Sequence, residues 1–422
     1  MKKTRKLYAS FLAGALALSL VLTACGGTKS TTPQQPAAGN EPKQEQPKAE
    51  PKPPVKIAVV TSRSGLFEAW GTHSLRGFEI GLEYATGGTM EVAGRKLEVK
   101  VYDDQGKPDV GKAMTEQAIT EWKADFIMGT VSSGIATQMI PVIDQYKKIF
   151  IVEPAAADNI TGANFSKYLF RTGSNTSQDA LAGAVGATKM GKKIVQLAPD
   201  YQWGKDSAGA WEGIMKANGA TVENVFAPQE TTDFTPYFQR ILAMKPEVLV
   251  VHWAGANGTK LFQQAGEQGV YQKVKVTGGI ADFAAMKTMG AKAAGMSGMV
   301  KYFHTLPKNP VNDYLIKRHK EKHNGELPDL FTGGGMAAGI AIVEGLKKTG
   351  GDTDADKLVA AMEGMKFPSP KGEMEFRKED HQALQTMYLV ELAMNEGFDF
   401  PTPKLIQELK PSETAPPVNA KK

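Results

Sequence analysis

From Val55 onward, short apolar runs rich in β-formers alternate with amphipathic stretches, and this alternation leaves few architectures open. The runs fall at 55–60, 97–102, 126–128, 149–152, 194–197, 222–226, 248–252 and 274–277. Segments of helical period lie between them. In one, Leu75, Phe78 and Leu82 form a face flanked by Ile80 and Ala85; in another the face is Leu261, Phe262 and Ala265. Strands separated by helices at this spacing pair in parallel through right-handed crossovers. Several runs are apolar on both faces, which fits sheets covered by helices on both sides. The fold class expected is α/β, and 422 residues suggest two domains plus extras.

The alternation contains an internal echo. The run at 55–60 leads through a short loop to Ala69-Trp70-Gly71 and a helix, and the run at 194–197 leads to Gln202-Trp203-Gly204 and a helix. Further on, 126–128 opens into Gly129-Thr130-Val131-Ser132-Ser133-Gly134, and 248–252 opens into Trp253-Ala254-Gly255-Ala256-Asn257-Gly258. Two similar lobes would carry these loops at the carboxyl ends of their strands, where open α/β sheets bind ligands. If the lobes face each other, the loops line a cleft. The plainer alternative is that these Gly and Trp residues only turn the chain and pack.

Residues 1–25 read as a secretion signal. Lys2, Lys3, Arg5 and Lys6 precede an apolar run from about Phe11 to Leu22, too short to favour a permanent membrane span. These four cations account for most of the chain's net charge of +5, so the basic balance implies no nucleic-acid partner. The run ends in Leu22-Thr23-Ala24-Cys25 followed by Gly26-Gly27, which resembles the bacterial lipobox, where the thiol is acylated and the chain cut just before it. The alternative is an ordinary cleavable signal with an incidental cysteine. Cys25 is the only cysteine, so no intrachain disulfide can form. The expected layout is a signal peptide at 1–24, then a lipidated Cys25 opening a disordered tether over 25–54, rich in Pro, Lys, Gln, Glu and Ala. Such a coil reaches about 30 Å, and acyl chains would anchor it without a transmembrane helix.

No catalytic motif survives inspection. Thr332-Gly333-Gly334-Gly335-Met336-Ala337-Ala338-Gly339 has the wrong spacing for a dinucleotide loop and lacks a following Gly-Lys-Ser/Thr, so it reads as the start of a tightly packed helix running through Leu346. His319 and His323 have a metal-clasping spacing, but Lys317, Arg318, Lys320 and Lys322 surround them, and a solvated helix face is expected. There is no nucleophile elbow and no evident carboxylate couple, so neither an enzyme nor a cofactor or metal is expected.

The body, about 55–400, resembles the leucine/isoleucine/valine-binding family of ABC solute receptors, the type I periplasmic binding fold. The stretches that carry the resemblance are Val55-Lys56-Ile57-Ala58-Val59-Val60 with Trp70-Gly71, Asp103-Asp104, Phe170-Arg171-Thr172, and Phe234-Thr235-Pro236 with Ile241-Leu242. The resemblance implies two Rossmann-like lobes with parallel sheets, a three-crossover hinge that closes on ligand, and ABC permease subunits as membrane partners. It places lobe one at 55–174 plus 303–375 and lobe two at 175–302 plus 376–405, leaving 406–422 as a disordered tail. The same receptor could instead serve a signalling partner, which a neighbouring permease gene would discriminate.

The resemblance also implies site residues. A family serine and backbone N–H groups at a helix start hold a ligand carboxylate; Ser133 matches, with Ser132 beside it, and a simple helix cap is the alternative. The family's aromatic wall matches Trp70 and Trp203, with His252 and Trp253 near another aromatic position. The Ser-Pro-Gly-Ala-Thr segment falls on Glu153-Pro154-Ala155-Ala156-Ala157, so the threonine is replaced by Ala157. The acid that meets the ligand's ammonium falls on Ile280, leaving Asp282 or Asp158 as substitutes. Either one of these reaches in, or the ligand lacks an α-amine, because an unpaired ammonium in a dry cleft is costly. The expected ligand is a small carboxylate of the hydrophobic amino-acid class, with an aromatic or keto acid or an amide as alternative.

Overall fold

The computed structural model describes residues 52–280 and 282–421, so Cys25, the leader and most of the tether lie outside the described residues. Among the described residues no helix is long and apolar enough to cross a membrane.

The first lobe opens with β1 (Val55–Thr61), α1 (Glu68–Ala85), the short β2 (Glu91–Val92) and β3 (Arg95–Asp103). It continues through α2 (Pro108–Thr120), β4 (Phe126–Gly129), α3 (Ser133–Tyr146), β5 (Ile149–Val152) and β6 (Leu169–Arg171). The strands form one sheet in the order β2-β3-β1-β4-β5-β6, parallel except for the β2–β3 hairpin. Every residue of β4 and β5 is buried, which explains why those runs are apolar on both faces.

The second lobe comprises α4 (Thr176–Met190), β7 (Lys193–Pro199), α5 (Gln202–Ala217), β8 (Thr221–Ala227), α6 (Thr235–Ala243) and β9 (Val248–Val251). It goes on through α7 (Gly258–Glu267), α8 (Val270–Lys273), β10 (Lys275–Gly278), α9 (Phe283–Met289) and β11 (Ser297–Val300). Its parallel sheet has the order β10-β9-β7-β8.

The chain then returns to lobe one with α10 (Pro310–Lys322), α11 (Thr332–Lys348), α12 (Ala355–Met362), β12 (Lys366–Ser369), β13 (Gly372–Phe376) and β14 (Ala383–Leu384). It finishes in lobe two with β15 (Met387–Met394) and β16 (Pro401–Leu409), which join β11 in an antiparallel sheet. Phe376 and Ala383 belong to the core of lobe one, and Tyr388 and Val390 to that of lobe two. The third crossing therefore lies between 383 and 387, not at 375, because the β13–β14 pairing holds the chain on lobe one. Residues 406–409 extend β16 instead of starting a tail, and beyond them Thr414 is buried and Pro416 O accepts from Arg377 Nη1 at 2.7 Å.

The glycine-rich run 332–339 begins α11, which packs backbone to backbone on α1. A Cβ added at Gly77 would lie 1.9 Å from Thr332 O, and one at Gly335 would lie 2.0 Å from Ser74 O. Glycine is required there by close approach. His319 departs from the expected solvated face: it is buried, and its Nδ1 meets Glu326 O at 2.8 Å. The turn after α10 folds back over that ring, which the surrounding lysines do not reveal.

At the hinge, Arg171 is fully buried. Its Nε donates to Gln382 Oε1 at 2.6 Å, its Nη1 to Ala157 O at 2.7 Å, and its Nη2 to Thr161. Gln382 Nε2 donates to Gly173 O at 2.8 Å, Gln385 Nε2 to Thr172 O at 3.0 Å, and Gln178 Nε2 to Ala383 O at 3.1 Å. The first and third crossings are thus stitched together by neutral amides.

Candidate functional site

The loops after β1, β3 and β4 meet on one buried carboxylate. Asp104 accepts from Ser62 Oγ at 2.6 Å, from Gly106 N at 2.8 Å and from Thr130 Oγ1. Burial raises its pKa. Asp103 holds the same corner by accepting from Arg63 N at 2.8 Å and Ser64 Oγ at 2.7 Å. The Asp103-Asp104 pair therefore shapes the ligand-side loops of lobe one from beneath.

Those loops close against lobe two. Ala256 N donates to Leu66 O at 2.9 Å, and a Cβ added at Gly255 would lie 2.7 Å from Leu66 Cγ. Phe67 and Val131 from lobe one cluster with Ala254 from lobe two, and Trp70 and Trp203 pack on that cluster. Trp70 Nε1 reaches across to Asp282 Oδ2 at 2.7 Å. The lobes are closed over a cavity that both of them line.

Trp70 and Trp203, the two members of the echo, each sit in the first turn of a helix and line this cavity from opposite lobes. Trp70 meets Phe331 edge-on at 5.2 Å between centroids. His252 and Trp253 follow β9 and also line it. The Trp253 ring is fixed by Phe234, edge-on at 4.8 Å, and by Nε1 donation to Asn257 Oδ1 at 3.0 Å.

His252 is a neutral, fixed wall. Gln196 Nε2 donates to Ala208 O and Asn224 Oδ1, so Gln196 Oε1, 2.8 Å from His252 Nε2, must accept from it. The other nitrogen, Nδ1, then accepts from Ser207 Oγ at 2.9 Å. Burial pushes the imidazole pKa down to about 3.

Ser133 begins α3, is 1% exposed, and lines the cavity. Its Oγ accepts from Ala157 N at 3.1 Å, which leaves the hydroxyl hydrogen free to donate. The N-cap residue Ser132 makes no side-chain cap bond, so the N–H groups of the first turn are left for another acceptor. Hydrogen-bond donors at a helix start are the groups that suit an anion.

Five expected residues lie off the cavity wall. Ser132, Ala155 and Ala157 are buried behind it, and Pro154 and Ala156 face it in the alanines' place. Asp282 caps α9 through Ala285 N at 3.0 Å and holds Trp70. Asp158, the other candidate for an ammonium, turns to Ser177, accepting from N at 3.1 Å and from Oγ at 2.6 Å. Ile280 lines the cavity where the resemblance places an acid.

The sequence did not single out Asp179 and Lys301. Among the described residues they are the charged side chains on the cavity wall. Lys301 Nζ lies 2.7 Å from Asp179 Oδ2 and 2.6 Å from Ser174 Oγ, and Ser174 Oγ donates to Asp179 Oδ1 at 2.7 Å. The pair is separated by 122 positions, so no local pattern announces it. Behind it, Glu153 is 2% exposed, and its side-chain hydrogen bond is a long one from Thr172 Oγ1 at 3.5 Å. Burial pushes its carboxyl up to about 7. Gly334 leaves room for it; a Cβ there would lie 2.2 Å from Glu153 Oε1.

Comparison with known proteins agrees with this geometry. The family model described as periplasmic binding protein matches residues 54–397. Leu/Ile/Val-binding protein homolog 6 of Brucella melitensis biotype 1 is 26% identical over 358 residues, covering 80% of this chain and 87% of that protein. The structure of an ABC-type branched-chain amino acid transporter from Rhodopseudomonas palustris CGA009 is 40% identical, with a TM-score of 0.73, and covers 87% of this chain and 100% of its own. That of a solute-binding protein of an ABC transporter from Rhodopseudomonas palustris BisB5, in complex with 3,4-dihydroxy benzoic acid, is 26% identical, with a TM-score of 0.78, and covers 84% of this chain and 97% of its own.

Proposed function

The chain belongs to the periplasmic binding protein family, the solute-binding components of ABC transporters, and from that premise we propose that it captures a carboxylate with an apolar, aromatic-compatible body and needs no α-ammonium. One observation carries this reading. Ser133 brings a donor hydroxyl to the cavity and Trp70 and Trp203 give it flat walls, whereas the two acids that the sequence offered for an ammonium, Asp282 and Asp158, lie off its wall. The complex of the BisB5 relative with a dihydroxylated benzoic acid supports the same ligand class. Lipidation of Cys25 completes the proposal: the receptor stays at the outer face of the membrane, within a tether's reach of its permease. Its role is capture and delivery, without turnover of the solute.

A branched-chain amino acid is the second reading, favoured by the names of the relatives and by the presence of Asp179 on the cavity wall. Calorimetry with leucine, its keto acid 4-methyl-2-oxopentanoate and benzoate separates the two. Binding of the amine-free acids at least as tight as that of leucine is expected. Binding of leucine alone would overturn the amine-free reading and assign the ammonium to Asp179.

A further inference from the structure

The ligand-cavity wall carries one ion pair whose hydrogen-bonding capacity is incompletely used. Lys301 follows β11 at the second crossing, and Asp179 lies in the first turn of α4, just past the first crossing. An ammonium has three donors, and two are taken, by Asp179 Oδ2 and Ser174 Oγ. An ionised carboxylate has about four acceptor positions, and Asp179 uses two, for Lys301 and for the Ser174 hydroxyl. One donor and at least one acceptor position therefore remain on adjacent groups. The Asp179 side chain is 8% exposed and that of Lys301 20%, in a cavity whose other walls are mostly rings and aliphatic groups.

We propose that the Asp179–Lys301 pair is a hydroxyl-selecting pole of the cavity, so that the solute carries a hydroxyl group in addition to the carboxylate. This rests on the carboxylate reading above. A hydroxyl is at once a donor and an acceptor, so it can give its hydrogen to Asp179 and receive one from Lys301. An ammonium meets Lys301, and a second carboxylate meets Asp179; each finds a like charge beside its partner. An apolar end leaves both groups short of the water that closure expels. Sites built to bond a hydroxyl reject the analogue that lacks it far more strongly than apolar pockets reject an added one. Because Lys301 also ties the second crossing to Ser174 on the first, a hydroxyl held there is read at the bending part of the hinge.

Calorimetry tests this with benzoate, the 2-, 3- and 4-hydroxybenzoates, 3,4-dihydroxybenzoate and 4-methoxybenzoate, whose ether oxygen accepts but cannot donate. Wild type is expected to bind its best hydroxylated acid at least about tenfold more tightly than benzoate, and 4-methoxybenzoate no more tightly than benzoate. In Lys301→Met and in Asp179→Asn the ratio of hydroxylated to unsubstituted affinity should fall to within about twofold of unity. The ratio is measured on one protein at a time, so a folding defect that weakens every acid together does not imitate the effect. Equal affinities in wild type, or a ratio unchanged in both variants, would overturn the hydroxyl pole and leave the carboxylate reading standing. Failure of every acid to bind would overturn the carboxylate reading itself. If the variants do not fold, the wild-type comparison alone still decides.

Discussion

Replacing Asp282 by Asn removes one bond between the lobes and leaves its neighbours in place. Asp282 uses Oδ1 to cap α9 and Oδ2 to receive the Trp70 indole. Asn caps a helix as well as Asp does, so Oδ1 keeps its role and an amide NH₂ is turned to the indole N–H. Two donors then face each other and the interlobe bond is lost. A hydrogen bond to a charged group is worth about 1.5–3 kcal/mol; at this half-exposed site we take about 1–2 kcal/mol. The bond exists only when the lobes are closed, and Asp282 is off the cavity wall. Its loss should therefore weaken every ligand alike, by about 5- to 30-fold. Calorimetry gives the affinities. Solution scattering should give the same closed radius of gyration at saturation for variant and wild type, smaller than that of the ligand-free protein. Affinities within about twofold of wild type would refute the latch. A loss confined to ligands that bear an amine would show that Asp282 contacts the ammonium after all.

Four further outcomes are expected. Ser133→Ala should weaken carboxylate binding about 10- to 100-fold by calorimetry while leaving the melting temperature nearly unchanged, because a charged hydrogen bond is lost inside the cavity. Gly335→Ala should destabilise lobe one by about 1–3 kcal/mol or more in urea melts, since the new methyl has backbone oxygen in its place. Glu153→Gln should stabilise the fold more at pH 8 than at pH 5: the carboxyl is raised from 4.5 to about 7 in the folded state, so wild type loses stability as pH climbs through that window, and the amide does not. Cys25→Ser should abolish incorporation of labelled lipid and move the protein from the membrane fraction to the soluble one; an unchanged, lipid-labelled membrane pool would refute the anchor.

The parallel strands were legible because burial on both faces leaves an apolar run that needs no partner to be recognised. Thus β1, β4, β5 and β9 stand within a residue or so of their expected bounds. The Trp70 and Trp203 echo was legible for a related reason: each lobe repeats a strand, a loop and a helix start. The third crossing was not. Strands β12 to β16 are short or half exposed, and antiparallel pairing fixes them, locally in the β12–β13 and β15–β16 hairpins and at a distance where β15 meets β11. The role of Asp282 was also hidden, because a side chain two positions past a family site can turn either way. Here the cap of α9 turns it toward Trp70. Asp179 and Lys301 look like any surface charges in sequence and become a pair only where two crossings run side by side.

The stitching of the first and third crossings has a mechanical consequence. Two ribbons held together by Gln178, Gln382 and Gln385 bend as one strap, and the second crossing runs beside it, joined through the β11–β15 pairing and through Lys301. A door hung on one broad strap swings about the line of that strap and resists being twisted out of its frame. The mouth should therefore open by a swing that parts Leu66 from Ala256 and Trp70 from Asp282 together, and the solute leaves from the edge farthest from Lys301.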